Sequence, residues 1–447
     1  MNQMGTQQQA PLFSRQADEV PTNRFLGDLF EREALAERLS GLLESLPNGA
    51  VIAIDAPWGE GKSWFARRWH AVLEDKGFRS VLIDCFQQDY VGDPFALFAG
   101  EFLTLAKKGK PEVRTKLLEA GKKVGASLLP AAAKLAVNTL GHLAVGNSAL
   151  GDDIAQAIKK ADEKGAEQLE KLVAKALEEH ETNKKSVQGF RAALANLAAE
   201  AEKPVVIFVD ELDRCRPDFA VHAVERIKHF FDVPGIIFVL LVNRKQLAAS
   251  VRGVYGDGVD AEAYLAKFVH LSLTLPKRLS LERGKPNDNT RFVSAELQRY
   301  GFQRDTTSEN FSSALGLCAS LLNMSLRDLE RAIPLFSFAS PKGQHATFAA
   351  WPIALKIARP ELYDGILANK SNAHGEAARM CDEFRAHSDL ARHLFGFFGG
   401  LHKCAATGFK TPLEEQVPVI LMQLSPGVEP SHYCFSVFDQ VNLTIGR

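Results

Sequence analysis

From Val51 to Phe65 the chain reads Val-Ile-Ala-Ile-Asp-Ala-Pro-Trp-Gly-Glu-Gly-Lys-Ser-Trp-Phe. No other stretch constrains the fold as much. Four apolar residues run into a Gly-rich turn, then Lys62 and Ser63, then an amphipathic run. That order is strand, phosphate-cradling loop, helix. A triphosphate needs several backbone N–H groups converging on its oxygens. Glycines let the backbone approach closely, and the N-terminus of the following helix adds a positive dipole. The spacing departs from G-x-x-x-x-G-K-[ST] at one place: Ala56 stands where the first glycine belongs, and Gly59 lies inside the loop. Pro57, Trp58, Gly59, Glu60, Gly61, Lys62, Ser63 and Trp64 are the candidate nucleotide-binding residues. Lys62 is expected to reach the β- and γ-phosphates and Ser63 to ligate Mg²⁺.

A second stretch completes the pattern. Val205-Val-Ile-Phe-Val-Asp210-Glu211 has five apolar residues, mostly β-branched, followed by two carboxylates. It reads as a fully buried strand of a parallel sheet. Carboxylates at the C-terminal tip of such a strand sit where open α/β sheets bind ligands. Asp210 is placed to hold Mg²⁺ through water, and Glu211 to orient or deprotonate the attacking water. A third stretch, Gly235-Ile-Ile-Phe-Val-Leu-Leu-Val-Asn243-Arg244, reads as another buried strand ending in a polar residue. Asn243 could hydrogen-bond the γ-phosphate or the attacking water, or could simply open the next loop; the sequence leaves both readings open.

These residues carry a family resemblance. Ala56-Pro-Trp-Gly-Glu-Gly-Lys-Ser63 resembles the loop of the KAP family of P-loop NTPases. Val209-Asp-Glu-Leu-Asp-Arg-Cys215 resembles that family's D-D-L-D-R-C box, with Glu211 in place of the second Asp. Tyr264-Leu-Ala-Lys-Phe268 and Leu273-Thr-Leu-Pro276 are similar to its Y-L-x-K segment and L-P ending, and Asp84-Cys-Phe86 with Asp93-Pro94 is a looser match. The resemblance spans roughly residues 25 to 340. It implies an AAA-like or STAND-like ATPase core that uses ATP and Mg²⁺, within a family that includes phage-exclusion proteins and signalling scaffolds.

The expected fold class is α/β: a P-loop NTPase parallel sheet flanked by helices, with a helical insertion and a helical C-terminal lid domain. Residues 1–20, polar and Gln-rich without a signal-peptide core, read as a flexible tail. Residues 21–275 read as the nucleotide core and 276–447 as the mostly helical lid and C-terminal domain. Phe25 to Leu46 is amphipathic, with Leu35, Leu39, Leu42 and Leu43 at helical spacing. The long separation of Lys62 from Asp210 predicts an insertion over about 105–200. Its Ala/Leu/Gly-rich part, Gly125 to Gly151, is interrupted by Lys134, Asn138 and His142. A central charge costs about 2.5–3.5 kcal/mol in a membrane span, so a soluble or membrane-adjacent hairpin is expected here, although many family members carry transmembrane helices at this place. Leu169, Leu172, Val173, Ala176 and Leu177 repeat at helical spacing, and so do Val187, Phe190, Leu194 and Leu197.

In the C-terminal half, Ser325 followed three residues later by Asp328 predicts a capped helix with Leu326, Leu329 and Ile333 facing inward. In AAA-like ATPases an arginine at the start of such a helix reaches the γ-phosphate; Arg327 resembles that residue, and Arg331 is its rival. Leu394 to Leu401, aromatic and Gly-rich, is read as core. Cys381, His387, His393, His402 and Cys404 lack the close paired spacing of a zinc site.

Six scattered cysteines without a C-x-x-C pair fit a reducing cytoplasm. A net charge of −1 gives no global attraction for nucleic acid. The two motifs and the resemblance together imply a Mg²⁺-dependent ATPase that drives a conformational or assembly switch, with anti-phage defence or signalling as the setting the resemblance implies. The alternative is a nucleotide-gated scaffold with little turnover that recruits an effector through its insertion. Glu211, Asn243 and Arg327 are the candidate catalytic residues. Self-association and a protein partner of unknown identity are expected. Arg214, Arg216, Arg244 and Arg252 could complete a neighbour's site, and Arg214 and Arg216 could equally pair with Asp213 or Asp218 of their own chain.

Overall fold

A computed structural model describes residues 20–90, 92–128, 184–279, 287–339, 345–407, 438 and 441. Among the described residues five segments form strands: β1 (Ala50–Asp55), β2 (Ser80–Asp84), β3 (Val205–Asp210), β4 (Ile236–Val242) and β5 (Leu271–Thr274). All pair in parallel, in the order β2-β3-β4-β1-β5. Parallel neighbours need helical crossovers. Lys62–Asp75 links β1 to β2, Pro217–Arg226 links β3 to β4, and Arg244–Tyr255 with Ala261–Ala266 links β4 to β5. The chain first steps outward from β1 to β2, returns through β3 and β4, and then places β5 on the far side of β1. That reversal beside β1 is the switch point at which such sheets open a crevice at the strand tips.

The sheet-bearing unit comprises residues 33–56 and 62–275. Its core lies between the strands and an aromatic cluster. Phe231 packs against Phe95, Phe98, Phe102, Phe190 and Phe238 at centroid separations of 5.4–6.2 Å. Phe190, Leu194 and Leu197, on a helix over 184–199, are fully buried in this core, and Val187 packs against it. That helix therefore belongs to the packed unit and is not a free arm. The apolar repeat at 169–177 and most of the 125–151 run lie outside the described residues. Among those described, no helix is long and apolar enough to cross a membrane.

The first helix starts at Arg32, later than the amphipathic pattern from Phe25 suggested. Glu31 occupies the left-handed region at φ 58°, which an α-helix cannot accommodate. On this helix Ala36, Leu39, Ser40 and Leu43 face inward.

The second unit gathers the described residues of 1–32, 57–61 and 276–447. It is built of seven helices, from Asp288–Arg299 to Asp389–Ala406. Several of their starts are fixed by short polar side chains. Asp305 and Ser308 form a reciprocal capping box, and Ser388 accepts a hydrogen bond from the Ala391 amide. Ser325 and Asp328 likewise cap each other, at 2.7 Å between hydroxyl and carboxylate. Leu326, Leu329 and Ile333 are buried, as are Leu394, Phe395, Phe397, Phe398 and Leu401.

Candidate nucleotide site

The tip of β1 delivers the chain into the loop. Gly59 and Gly61 take φ +82° and +78°, values that residues bearing a Cβ avoid. Helix Lys62–Asp75 then begins at Lys62, so its N-terminal amides lie at the loop's end. The Lys62 ammonium donates to the Ala56 carbonyl at 2.6 Å. It is buried, and burial pulls it below the ordinary lysine value; Asp213, Asp210 and Asp55 oppose that, while the like charge of Arg214 adds to it. Trp64 faces away along the helix, with the Arg68 guanidinium 3.9 Å above its ring. Pro57 and Trp58 are exposed.

Asp210 ends β3 and is buried. Burial raises its carboxyl above the usual range and neighbouring Asp84 adds to this; the Ser63 hydroxyl, the Glu211 amide at 2.9 Å and Lys62 all oppose it. Ser63 and Asp210, the two residues expected to share a cation, are thus hydrogen-bonded to each other. Asp84 stands beside Asp210 in register at the tip of β2, where its oxygens accept from the Gln87 amide and side chain.

Glu211 adopts φ 58° and ψ 21°, left-handed and strained for a residue with a side chain. The turn it opens, Leu212–Arg214, brings Arg214 back over it, and the Arg214 guanidinium meets the Glu211 carboxylate at 2.8 Å. Arg214 therefore pairs with Glu211, a partner the sequence did not suggest. Arg216 donates to the Asp89 carbonyl at 2.6 Å and Arg244 pairs with Glu262 at 2.6 Å, whereas Arg252 is exposed.

β4 lies between β1 and β3, so its tip residue Asn243 stands between the loop strand and the carboxylate strand. Asn243 is half-buried and makes no side-chain cap bond to the helix it precedes. That helix start is held by Asp55 of β1, which accepts from the Arg244 amide at 2.9 Å.

Within the helical unit, residues 57–61 of the loop meet the start of helix Leu326–Ala339. The Arg327 amide donates to the Gly59 carbonyl at 3.3 Å. A methyl group placed on Gly59 would lie 2.7 Å from Ser325 Oγ and 2.9 Å from Arg327 Cβ. The Arg327 side chain is exposed; its rival Arg331 pairs with Asp328 at 3.6 Å.

Two residues of this region escaped sequence reasoning. Arg32 is 2% exposed and donates to the Glu60 carbonyl at 2.9 Å and the Gly61 carbonyl at 3.3 Å. Burial lowers it to about 10 against the pull of Glu60, Asp28 and Asp288. In a trans peptide C=O and N–H point opposite ways. Anchoring these two carbonyls therefore turns the Gly61 and Lys62 amides to the other side of the loop. Lys277 pairs with Glu60 at 2.9 Å, both nearly buried. The available signal for Arg32 was its place on the inward stripe with Ala36, Leu39 and Leu43.

A parallel sheet whose strand enters a Gly-Lys-Ser loop at a helix N-terminus, with the serine bonded to a carboxylate at another strand tip, defines a P-loop NTPase fold. Residues 32–341 match the KAP family P-loop domain, and the chain belongs to that family. Among solved structures the chain is similar to the Aeropyrum pernix ORC2 protein, described as ADPNP–ADP complexes. The identity is 10% and the TM-score 0.34, over 95% of this chain and 96% of that one. No curated protein matches the chain.

Proposed function

We propose that this chain binds and hydrolyses ATP with Mg²⁺ and uses the cycle as a conformational or assembly switch. The observation that carries the reading is the hydrogen bond between Ser63 and buried Asp210, beside the buried Lys62 ammonium. An all-oxygen pair with a carboxylate that burial disfavours suits a small hard cation. Ser63 and Asp210 would hold Mg²⁺, which when bound supplies charge neutralisation to the phosphates.

In this reading the loop amides from Gly59 to Ser63 bind the β- and γ-phosphates and Lys62 balances their charge. Glu211 orients the attacking water and accepts its proton. The water oxygen bonds to the γ-phosphorus as the β–γ bridging P–O bond breaks, and the electron pair leaves on the diphosphate. Asn243 positions the water or a γ-oxygen, and Arg327 is the sensor arginine of this reading. Adenine is favoured over guanine because no N-K-x-D motif follows the strands. A role in anti-phage defence or signalling follows the family's range, a cytoplasmic location rests on the scattered cysteines, and self-association and a protein partner complete the proposal.

One observation favours the low-turnover scaffold as second reading: Glu211 is tied to Arg214. A pair of variants tests both. Lys62→Ala is expected to weaken ATP by about 100-fold or more in calorimetry, through loss of the charged donor to phosphate. Glu211→Gln is expected to bind ATP normally and to slow hydrolysis by about 10²–10⁴. Unchanged affinity in Lys62→Ala removes the loop assignment. Wild-type turnover in Glu211→Gln transfers the catalytic role to Asp213, and absence of turnover in the wild type leaves the scaffold.

A further inference from the structure

We propose that Arg214 changes partner during the cycle, holding Glu211 before a triphosphate binds and gripping the γ-phosphate, within its own chain, afterwards. The proposal rests on the nucleotide reading above and adds one residue to it.

Three observations converge on Arg214. Its guanidinium bonds the Glu211 carboxylate at 2.8 Å, and both side chains are partly exposed, so either can leave the pair. Second, the turn carrying them is tight: the Arg214 amide donates to the Glu211 carbonyl at 3.1 Å, with Glu211 in the left-handed region. A turn closed this way fixes the two side chains over one another without packing either into the core. Third, Arg214 lies within electrostatic reach of Lys62, a buried ammonium at the base of the loop, and the two cations repel. Asp213 and Asp210 act on that ammonium more strongly than Arg214 does, so the place holds two cations among carboxylates, and Arg214 is the more exposed of the two. Arg216, Arg226 and Arg244 bond Asp89, Asp93 and Glu262.

The exchange has a direction. A γ-phosphate carries more negative charge than one carboxylate, and the guanidinium fork matches its oxygens in bidentate fashion. Its arrival would draw Arg214 off Glu211. The released carboxylate could then face the water, and the displaced charge would stabilise the transferring phosphoryl group. In a diphosphate complex the γ-oxygens are gone and the original ion pair returns. Arg214 would thereby report triphosphate against diphosphate, and Glu211 would be freed only when there is a phosphate to attack.

Calorimetric titration of wild type, Arg214→Ala and Arg214→Lys with ADP and with a non-hydrolysable ATP analogue, in Mg²⁺ buffer, tests this. In wild type the analogue should bind more tightly than ADP. In Arg214→Ala that preference should shrink by about 10-fold, with ADP affinity within about 2-fold of wild type, because the lost contact is a charge-assisted one to the γ-phosphate alone. Hydrolysis should fall by about 10² or more, as for loss of a phosphate-stabilising donor. Arg214→Lys, which keeps the charge but not the fork, should recover part of the preference. An unchanged preference in Arg214→Ala overturns the proposal, whether its hydrolysis falls or rises. Wild-type protein that binds neither ligand overturns the nucleotide reading and this inference with it; binding by wild type with equal preference in the variant removes only the inference.

Discussion

The two hydrophobic cores of this chain bury their polar groups in different ways. In the sheet unit the buried charges gather at one place: Lys62, Asp210 and Asp213 sit together at the C-terminal tips of the strands. In the helical unit the buried polar groups are dispersed. Ser308 caps a helix, Asp288 holds the Arg278 amide and guanidinium, Glu296 pairs with Arg299, and His374 meets His402 deep among aromatic rings. Each of these groups bonds at least one neighbour and serves the fold. Gathered charges of mixed sign, three of them near one strained turn, cost stability and persist where chemistry needs them. The contrast teaches where function is to be sought: at the strand tips, and at the loop residues 57–61 pressed against the start of a helix.

The largest expected effect lies in the helical core. Trp351 is fully buried against Phe395, Phe398 and Phe384, and its indole N–H donates to His402 at 3.3 Å. Trp351→Ala should destabilise the protein by about 3–5 kcal/mol, from lost transfer energy plus the cavity left behind. It should leave ADP affinity near wild type under conditions where the variant stays folded. Denaturant melts followed by circular dichroism would measure the first, and calorimetry the second. A cost below about 1 kcal/mol would mean that this core is not close-packed, and the comparison would lose one side.

A smaller effect separates conformation from contact at the loop. Gly59 and Gly77 have nearly equal φ, +82° and +81°, but different surroundings. A Cβ on Gly77 would meet open space; on Gly59 it would press on Ser325 and Arg327. Gly77→Ala should therefore cost about 1–2 kcal/mol, the left-handed penalty alone. Gly59→Ala should cost more, and should weaken triphosphate binding by about 10-fold by distorting the cradle. Equal costs for the two variants, with ATP affinity unchanged, would show that the close approach of Arg327 to the loop has no consequence for binding.

Much of this was written in local patterns. The apolar runs of β1, β3 and β4, the Gly-Lys-Ser loop and the Asp210 box are contiguous, and contiguous signals survive without tertiary knowledge. The order of the strands was not legible, because parallel pairing is set by crossovers rather than by neighbours in sequence. That order is what puts Asn243 between the loop strand and the carboxylate strand. Arg32 was missed for another reason. A charge on an apolar stripe reads as a register error until the carbonyls of Glu60 and Gly61 appear beside it. The partner of Arg214 depends on Glu211 adopting the left-handed region, which no propensity anticipates for glutamate. The pairing of His374 with His402 joins two helices whose facing sides only packing decides.

That histidine pair gives the smallest and most specific expectation. The His374 and His402 Nδ1 atoms lie 3.1 Å apart, both side chains are fully buried, and His402 also accepts the Trp351 indole proton. Phe398 and Phe438 flank His402, and His374 is the titratable group that acts on it. Burial, with the like charge of His374 second, lowers His402 from its ordinary 6.5 to about 3; burial lowers His374 as well. An unfolded chain would protonate His402 below about pH 6.5, whereas the folded chain would not do so until about pH 3. Across that window the unfolded state binds the extra proton, so stability is complete above it and falls as pH falls. Between pH 7.5 and 5.5 the His402 contribution should fall by about 1.4 kcal/mol, one pKa unit's worth of differential protonation. Asp and Glu residues contribute their own pH dependence at lower pH, so the comparison must be made against His402→Gln, whose amide can still accept from Trp351. Urea midpoints at the two pH values, for wild type and variant, would isolate the term. Parallel pH slopes in the two proteins would mean that His402 already exchanges protons in the folded state, and that the helical core is wetter there than its packing indicates.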